Sequence, residues 1–138
     1  MEIKPCFNLK MRQANRVLTN HYDSYLRELG LTIAQFSILR TLFYMKQTSQ
    51  KDLQEVLVLQ QTTLTRNLRP LIRSGYIATS PSLEDRRVTL VSLTDDGIEL
   101  FNKALKKWTL AQESVSEKLG AELSGQLLDV ADAVIKLQ

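Results

Sequence analysis

The run Gln61-Thr62-Thr63-Leu64-Thr65-Arg66-Asn67-Leu68-Arg69 is rich in side-chain donors and contains no carboxylate. Wound as a helix, it turns Leu64 and Leu68, with Leu71 and Ile72 beyond, toward a core. Gln61, Thr62, Thr65, Arg66 and Arg69 then face outward, with Thr63 beside them. Glutamine pairs with adenine, arginine with guanine, and threonine meets a thymine methyl or a phosphate, so this set suits a DNA major groove. A solvated helix face more commonly alternates Glu with Lys. A second cluster, Glu84-Asp85-Arg86-Arg87, carries two guanidinium groups where the pattern reads as a hairpin tip. Arginines on such a tip can enter a minor groove, where negative potential is focused. Asp85 stands two residues from Arg87 and can hold its guanidinium in place.

Other chemistries find little support. One His and one Cys exclude multi-His and multi-Cys metal designs and an internal disulfide. No pair of residues forms a credible nucleophile–base or acid–base set, so neither an enzyme nor a cofactor is expected. No apolar run approaches the roughly 18 residues that span a bilayer. The start Met1-Glu2-Ile3-Lys4-Pro5-Cys6 lacks the apolar core of a signal peptide. A cytoplasmic protein with no membrane partner is the expectation. The 138 residues and 43% hydrophobic content fit ordinary globular structure.

The net charge of +3 is unevenly spread. Residues 1–48 hold seven Lys/Arg against three Asp/Glu, residues 49–94 six against four, and residues 95–138 five against eight. A basic front and an acidic back suit a polyanion partner for the front.

The elements that must position these groups follow from periodicity and caps. A first helix is expected from about Phe7 to Leu29, closed by Gly30, with Ala14, Leu18, Tyr22, Tyr25, Leu26 and Leu29 on one stripe. Thr32-Ile33-Ala34-Gln35 forms a capping box for a second helix to about Tyr44. Ser49 and Asp52 open a third helix that buries Leu53, Val56 and Leu57. After a break at Leu59-Gln60, a fourth helix runs from Gln61 to about Ser74, closed by Gly75. Pro70 removes a donor inside it, which predicts a bend there or a reading role confined to its N-terminal half. Two short strands, Tyr76–Ser80 and Val88–Leu93, flank the tip Pro81–Arg87. Thr94 caps a long fifth helix carrying Phe101, Leu105, Trp108 and Ala111. Gly120, read like Gly30 and Gly75 as a left-handed helix stop, separates it from a last helix with Leu123, Leu127, Val130, Val134 and Leu137. The whole reads as mainly α with a minor β part. Residues 49–74 have helix-turn-helix proportions. The amphipathic terminal helices are expected to pack together and against a second copy.

Leu64-Thr65-Arg66, Leu71-Ile72-Arg73-Ser74-Gly75-Tyr76-Ile77, Asp85-Arg86-Arg87 and Leu93-Thr94-Asp95-Asp96-Gly97 together resemble the MarR family of winged-helix transcription regulators. The front segment, from Asn8-Leu9-Lys10-Met11-Arg12 through Tyr22-Asp23 to Gln35-Phe36, is similar to that family's first two helices. The resemblance implies a homodimer held by helices in 1–31 and 95–138, with residues 32–94 forming a winged helix-turn-helix lobe on pseudo-palindromic double-stranded DNA. It places the recognition helix at about Gln61–Ser74 and the wing arginines at Arg86 and Arg87. It further implies a repressor released by a small, often aromatic, acidic effector. Arg16, His21, Phe36 and Arg40 are candidate pocket residues, although Arg16 and Arg40 could instead pair with Asp23 or Glu28. Other members of the family sense oxidants through a cysteine. Cys6 is the candidate here, though it falls about two residues early and Ile33 replaces a tyrosine partner. The residue-level alternative for Cys6 is a partly buried structural thiol. A winged helix serving as a protein-docking module is a further alternative.

Overall fold

A computed structural model describes residues 2–138. Helix α1 (Phe7–Leu26) passes into a 3-10 turn at Arg27–Leu29, and Gly30 closes it in the left-handed region. The expected single helix to Leu29 therefore tightens over its last turn, as helix ends commonly do. Helix α2 (Ile33–Met45) starts with the full Thr32–Gln35 capping box, and the Asp23 carboxylate accepts from the Ile33 amide at 2.7 Å. Strand β1 (Gln47–Ser49), helices α3 (Gln50–Val56) and α4 (Gln61–Arg73), strands β2 (Ile77–Pro81) and β3 (Thr89–Leu93), and helix α5 (Asp95–Ile135) follow.

The sheet has three antiparallel strands in the order β1-β3-β2, not the two-stranded ribbon expected from sequence. Gln47-Thr48-Ser49 pairs with Leu90–Ser92, while β2 pairs with β3 from Ile77↔Leu93 to Pro81↔Thr89. Three polar residues carry no period-two apolar signal. Their strand exists because β3 offers an open edge, and Ser49 then caps α3 through its hydroxyl.

Leu26, Phe36, Leu39, Leu42, Leu53, Leu64, Leu68, Val91 and Phe101 lie in one core shared by helices and sheet. Phe101 stacks on Phe43 at 4.5 Å and on Phe36 at 5.7 Å between ring centroids. Two expected core residues, Val56 and Ile72, are exposed instead. Helix α3 is only seven residues long, so its last residue overshoots the buried face. Leu71 already fills the core position that Ile72 would share.

Helix α4 continues across Pro70 without a non-helical residue. Pro70 sits on the exposed side, so water can satisfy the carbonyl it leaves unpaired. Gly120 breaks α5 at φ 83°, ψ 165°, an extended conformation open only to glycine rather than the left-handed cap expected. Both halves of α5 then lie along α1. Thr94 roots α5 to the wing: its hydroxyl donates to the Gly75 carbonyl at 2.6 Å and accepts from the Gly97 amide at 3.0 Å.

Candidate nucleic-acid interface

The outward side of α4 forms a shallow groove lined by Gln61, Thr62, Thr65, Arg66, Arg69, Pro70 and Arg73. Leu64, Leu68 and Leu71 anchor the opposite side in the core, which fixes the helix's rotation. The groove carries three guanidinium groups and no carboxylate, an electrostatic character suited to a polyanion. Gln50 donates from its side chain to the Thr65 hydroxyl at 3.5 Å, tying α3 to this face. Thr63 lies off the groove and half-buried, and its carbonyl accepts from the Asn67 side chain at 3.0 Å. Arg73 is not in the outward set that the sequence suggests. Its spacing from Arg66 and Arg69 continues the same stripe, a signal hidden by its place in the helix-ending run Leu71–Gly75.

The wing tip is a built turn. The Ser82 hydroxyl accepts from the amides of Glu84 and Asp85 at 3.3 and 3.5 Å, and the Val88 amide donates to the Asp85 carbonyl at 2.9 Å. Asp85 grips Arg87 through both carboxylate oxygens, accepting from Nε at 3.1 Å and Nη2 at 3.2 Å, and also from the Arg87 amide at 3.0 Å. The arginine side chain remains 91% exposed. Arg86 is exposed beside it. A planar fork is thus held in one orientation while its outer edge stays free for a phosphate or groove edge.

Arg87 holds the Asp85 carboxyl below the usual carboxylate range, by side-chain and then backbone hydrogen bonds. A lowered folded-state pKa means the clamp is intact above the ordinary carboxylate value and disappears as pH falls through the lowered one. Asp85→Asn should lower the melting temperature only slightly, because the pair is solvent-exposed, yet weaken duplex binding, because Arg87 loses its orientation. Acidification through the lowered carboxyl value should also free Arg87 in the unmodified chain and weaken binding, but there stability falls as well, because the Glu28–Lys107 pair is lost with the clamp. Fluorescence anisotropy against pH tests both, and an Asp85→Asn chain that binds as well as its parent would contradict the clamp.

The four candidate effector residues sit in different surroundings. Phe36 is buried in the core and stacks on Trp108. Arg40 lies 4.9 Å above the Trp108 ring. His21 Nε2 is 3.0 Å from the Ala111 carbonyl and its ring packs on Tyr25. These three meet one turn of α5, while Arg16 stands exposed on α1. Neither alternative partner pairs with an arginine: Glu28 pairs with Lys107 at 2.6 Å, which lowers its pKa, and Asp23 caps α2.

A separate cavity of about 340 Å³ lies between α1 and the two halves of α5, with Tyr22 and Gln112 hydrogen-bonded beside it. Burial raises the Tyr22 pKa. Cys6 is exposed, not partly buried, and its sulfur caps α1 by accepting from the Leu9 amide at 3.5 Å. Among the described residues, no group of His, Cys, Asp and Glu could hold a metal ion, and no helix is long and apolar enough to cross a membrane.

Comparison with known proteins places these features in context. A family model described as the MarR family matches residues 31–89. The chain is 30% identical over 101 residues to the HTH-type transcriptional regulator YdgJ of Bacillus subtilis (strain 168), a match covering 73% of this chain and 62% of that relative's length. It is 34% identical over 105 residues to the organic hydroperoxide resistance transcriptional regulator of the same organism, covering 76% of this chain and 70% of that one. Its fold is similar to that of a C80S mutant of Escherichia coli MarR solved with operator DNA, with a TM-score of 0.83 and 23% identity over 92% of this chain and 91% of that one.

Proposed function

This chain belongs to the MarR family, and we propose that it is a dimeric transcriptional regulator that binds duplex DNA in a sequence-specific way, acting as a repressor that a small molecule releases. The groove along α4, with its three arginines and no carboxylate, carries the reading. Its N-terminal residues Gln61, Thr62, Thr65 and Arg66 read bases, while Arg69 and Arg73 meet phosphates. The wing brings Arg86 and Arg87 to the adjacent groove, with Asp85 as positioning residue. No chemical step belongs to this function, and the protein works in the cytoplasm, where its DNA is.

Residues 32–94 form the DNA-binding lobe in this reading, and 1–31 with 95–138 form the dimerisation region. Phe7, Val17, Leu123, Val130, Val134 and Leu137 support that division, because α1 and the second half of α5 expose a contiguous apolar face. Patches of this kind mark association surfaces. The charges are complementary as well: Lys10, Arg12 and Arg16 on α1, Glu117, Glu122 and Asp129 on α5. A two-fold dimer then spaces its half-sites about one helical turn, 10–10.5 bp, apart.

Binding to duplex DNA selected from a random pool, measured across a salt series, tests the proposal. Affinity should fall steeply with salt, as phosphate neutralisation requires, and sedimentation should give the mass of two chains. A flat salt response would instead favour the winged helix as a protein-docking module. Addition of small aromatic acids to the complex tests release.

A further inference from the structure

The same backbone device ends three helical segments of this chain. At Gly30, Val58 and Gly75 the closing residue has φ of 73°, 53° and 82°. At each, its amide bonds back three residues and the next amide bonds back five: Gly30 to Arg27 and Leu31 to Leu26, Val58 to Glu55 and Leu59 to Gln54, Gly75 to Ile72 and Tyr76 to Leu71. This is the Schellman closure, which calls for glycine because a Cβ crowds the backbone in the left-handed region. Two of the three positions have glycine. The third has a β-branched residue, the type least suited to it.

The strain at Val58 finds no return inside the chain. Its side chain is not in the core, and the residue is 51% exposed. Leu59, the next residue, already packs against the core and supplies the apolar contact that accompanies this closure. Val58 lies in the turn between α3 and α4, three residues before Gln61, at the end of α4 whose side chains face the groove. Residues held in strained conformations cluster where a site needs them.

We propose that Val58 is a DNA-contacting residue, kept in the left-handed turn so that its isopropyl group meets a thymine methyl at the edge of the major groove as α4 enters. The inference rests on the DNA-binding reading above and adds one apolar contact to it. Such a contact adds affinity and a preference for thymine without neutralising a phosphate.

Val58→Gly and Val58→Ala separate strain from contact. Both are compared with the unmodified chain on a duplex selected from a random pool, and on the same duplex with uracil for thymine, which deletes the methyl. Val58→Gly should raise the melting temperature by a few degrees yet weaken binding to the thymine duplex by about tenfold, for a dimer making the contact twice. Its salt slope should not change, and its deficit should shrink on the uracil duplex. Val58→Ala should bind more weakly with no gain in melting temperature. A glycine variant that is more stable and binds equally well would overturn the proposal. So would a lower melting temperature, which would mean the side chain supports the turn, or a deficit unaffected by uracil. If the unmodified chain itself shows no salt-dependent duplex binding, the functional reading falls and the Val58 role with it. Normal binding by the unmodified chain with no deficit in the variants defeats the Val58 role alone.

Discussion

Gly97→Ala should lower stability by about 3 kcal/mol, near the upper end of what overpacking a filled site costs. For a chain of this size that is a fall in melting temperature of roughly 10 °C. A Cβ at Gly97 would collide with the Tyr76 carbonyl oxygen and stand 3.0 Å from its carbon. Both are backbone atoms at the root of the wing, and no rotamer change relieves them. The same carbonyl accepts the Thr94 amide at 3.1 Å, so pushing it away breaks the latch that fixes α5 to the sheet. Duplex binding should fall together with stability, since the latch sets the wing's position relative to α4. Thermal unfolding followed by circular dichroism measures the first effect and anisotropy the second. A melting temperature within about 2 °C of the parent, against the shift expected for such overpacking, would mean that α5 can slide without cost and that the close approach is not structural.

Arg66→Ala should cost about 1–3 kcal/mol of binding to a selected site for each base that Arg66 reads, and should relax preference at one position of each half-site. Arg66 is exposed at mid-length in the groove, with Leu64 and Leu68 on the opposite side holding its aim. Arg73→Ala is the control. It removes a phosphate partner from each subunit, so it should weaken selected and random duplexes alike and flatten the salt slope by about one unit per subunit, about two for the dimer. Competition binding with both duplex types separates the two. Equal weakening on selected and random DNA for Arg66→Ala would make Arg66 a phosphate partner, and base reading would pass to Gln61 and Thr62.

Much of this architecture was written locally. The Thr32–Gln35 box, the Ser49 and Thr94 caps and the Leu64/Leu68/Leu71 stripe each satisfy rules that reach no further than four residues. The Asp85–Arg87 clamp is equally local, two residues apart on one turn. These features determined four helices, a hairpin and, Arg73 apart, the arginines of the outward face of α4 from sequence alone. The MarR resemblance in strings such as Asp85-Arg86-Arg87 added the arrangement.

What the sequence could not decide depends on neighbours distant in the chain. Strand β1 exists because β3 has an edge to offer some forty residues away, not because Gln47-Thr48-Ser49 favours a strand. Gly97 is required by a carbonyl from another element, since its own helical conformation would accept any residue. Phe36 joins an aromatic stack because α5 brings Phe101 and Trp108 beside it. Only folding also made Val58 conspicuous: as a letter it is one more aliphatic residue, and its strain appears once α3 closes with the geometry used by the two glycines. Local hydrogen bonds and side-chain periodicity can be read along a chain. Packing arises between segments that only the tertiary structure brings together.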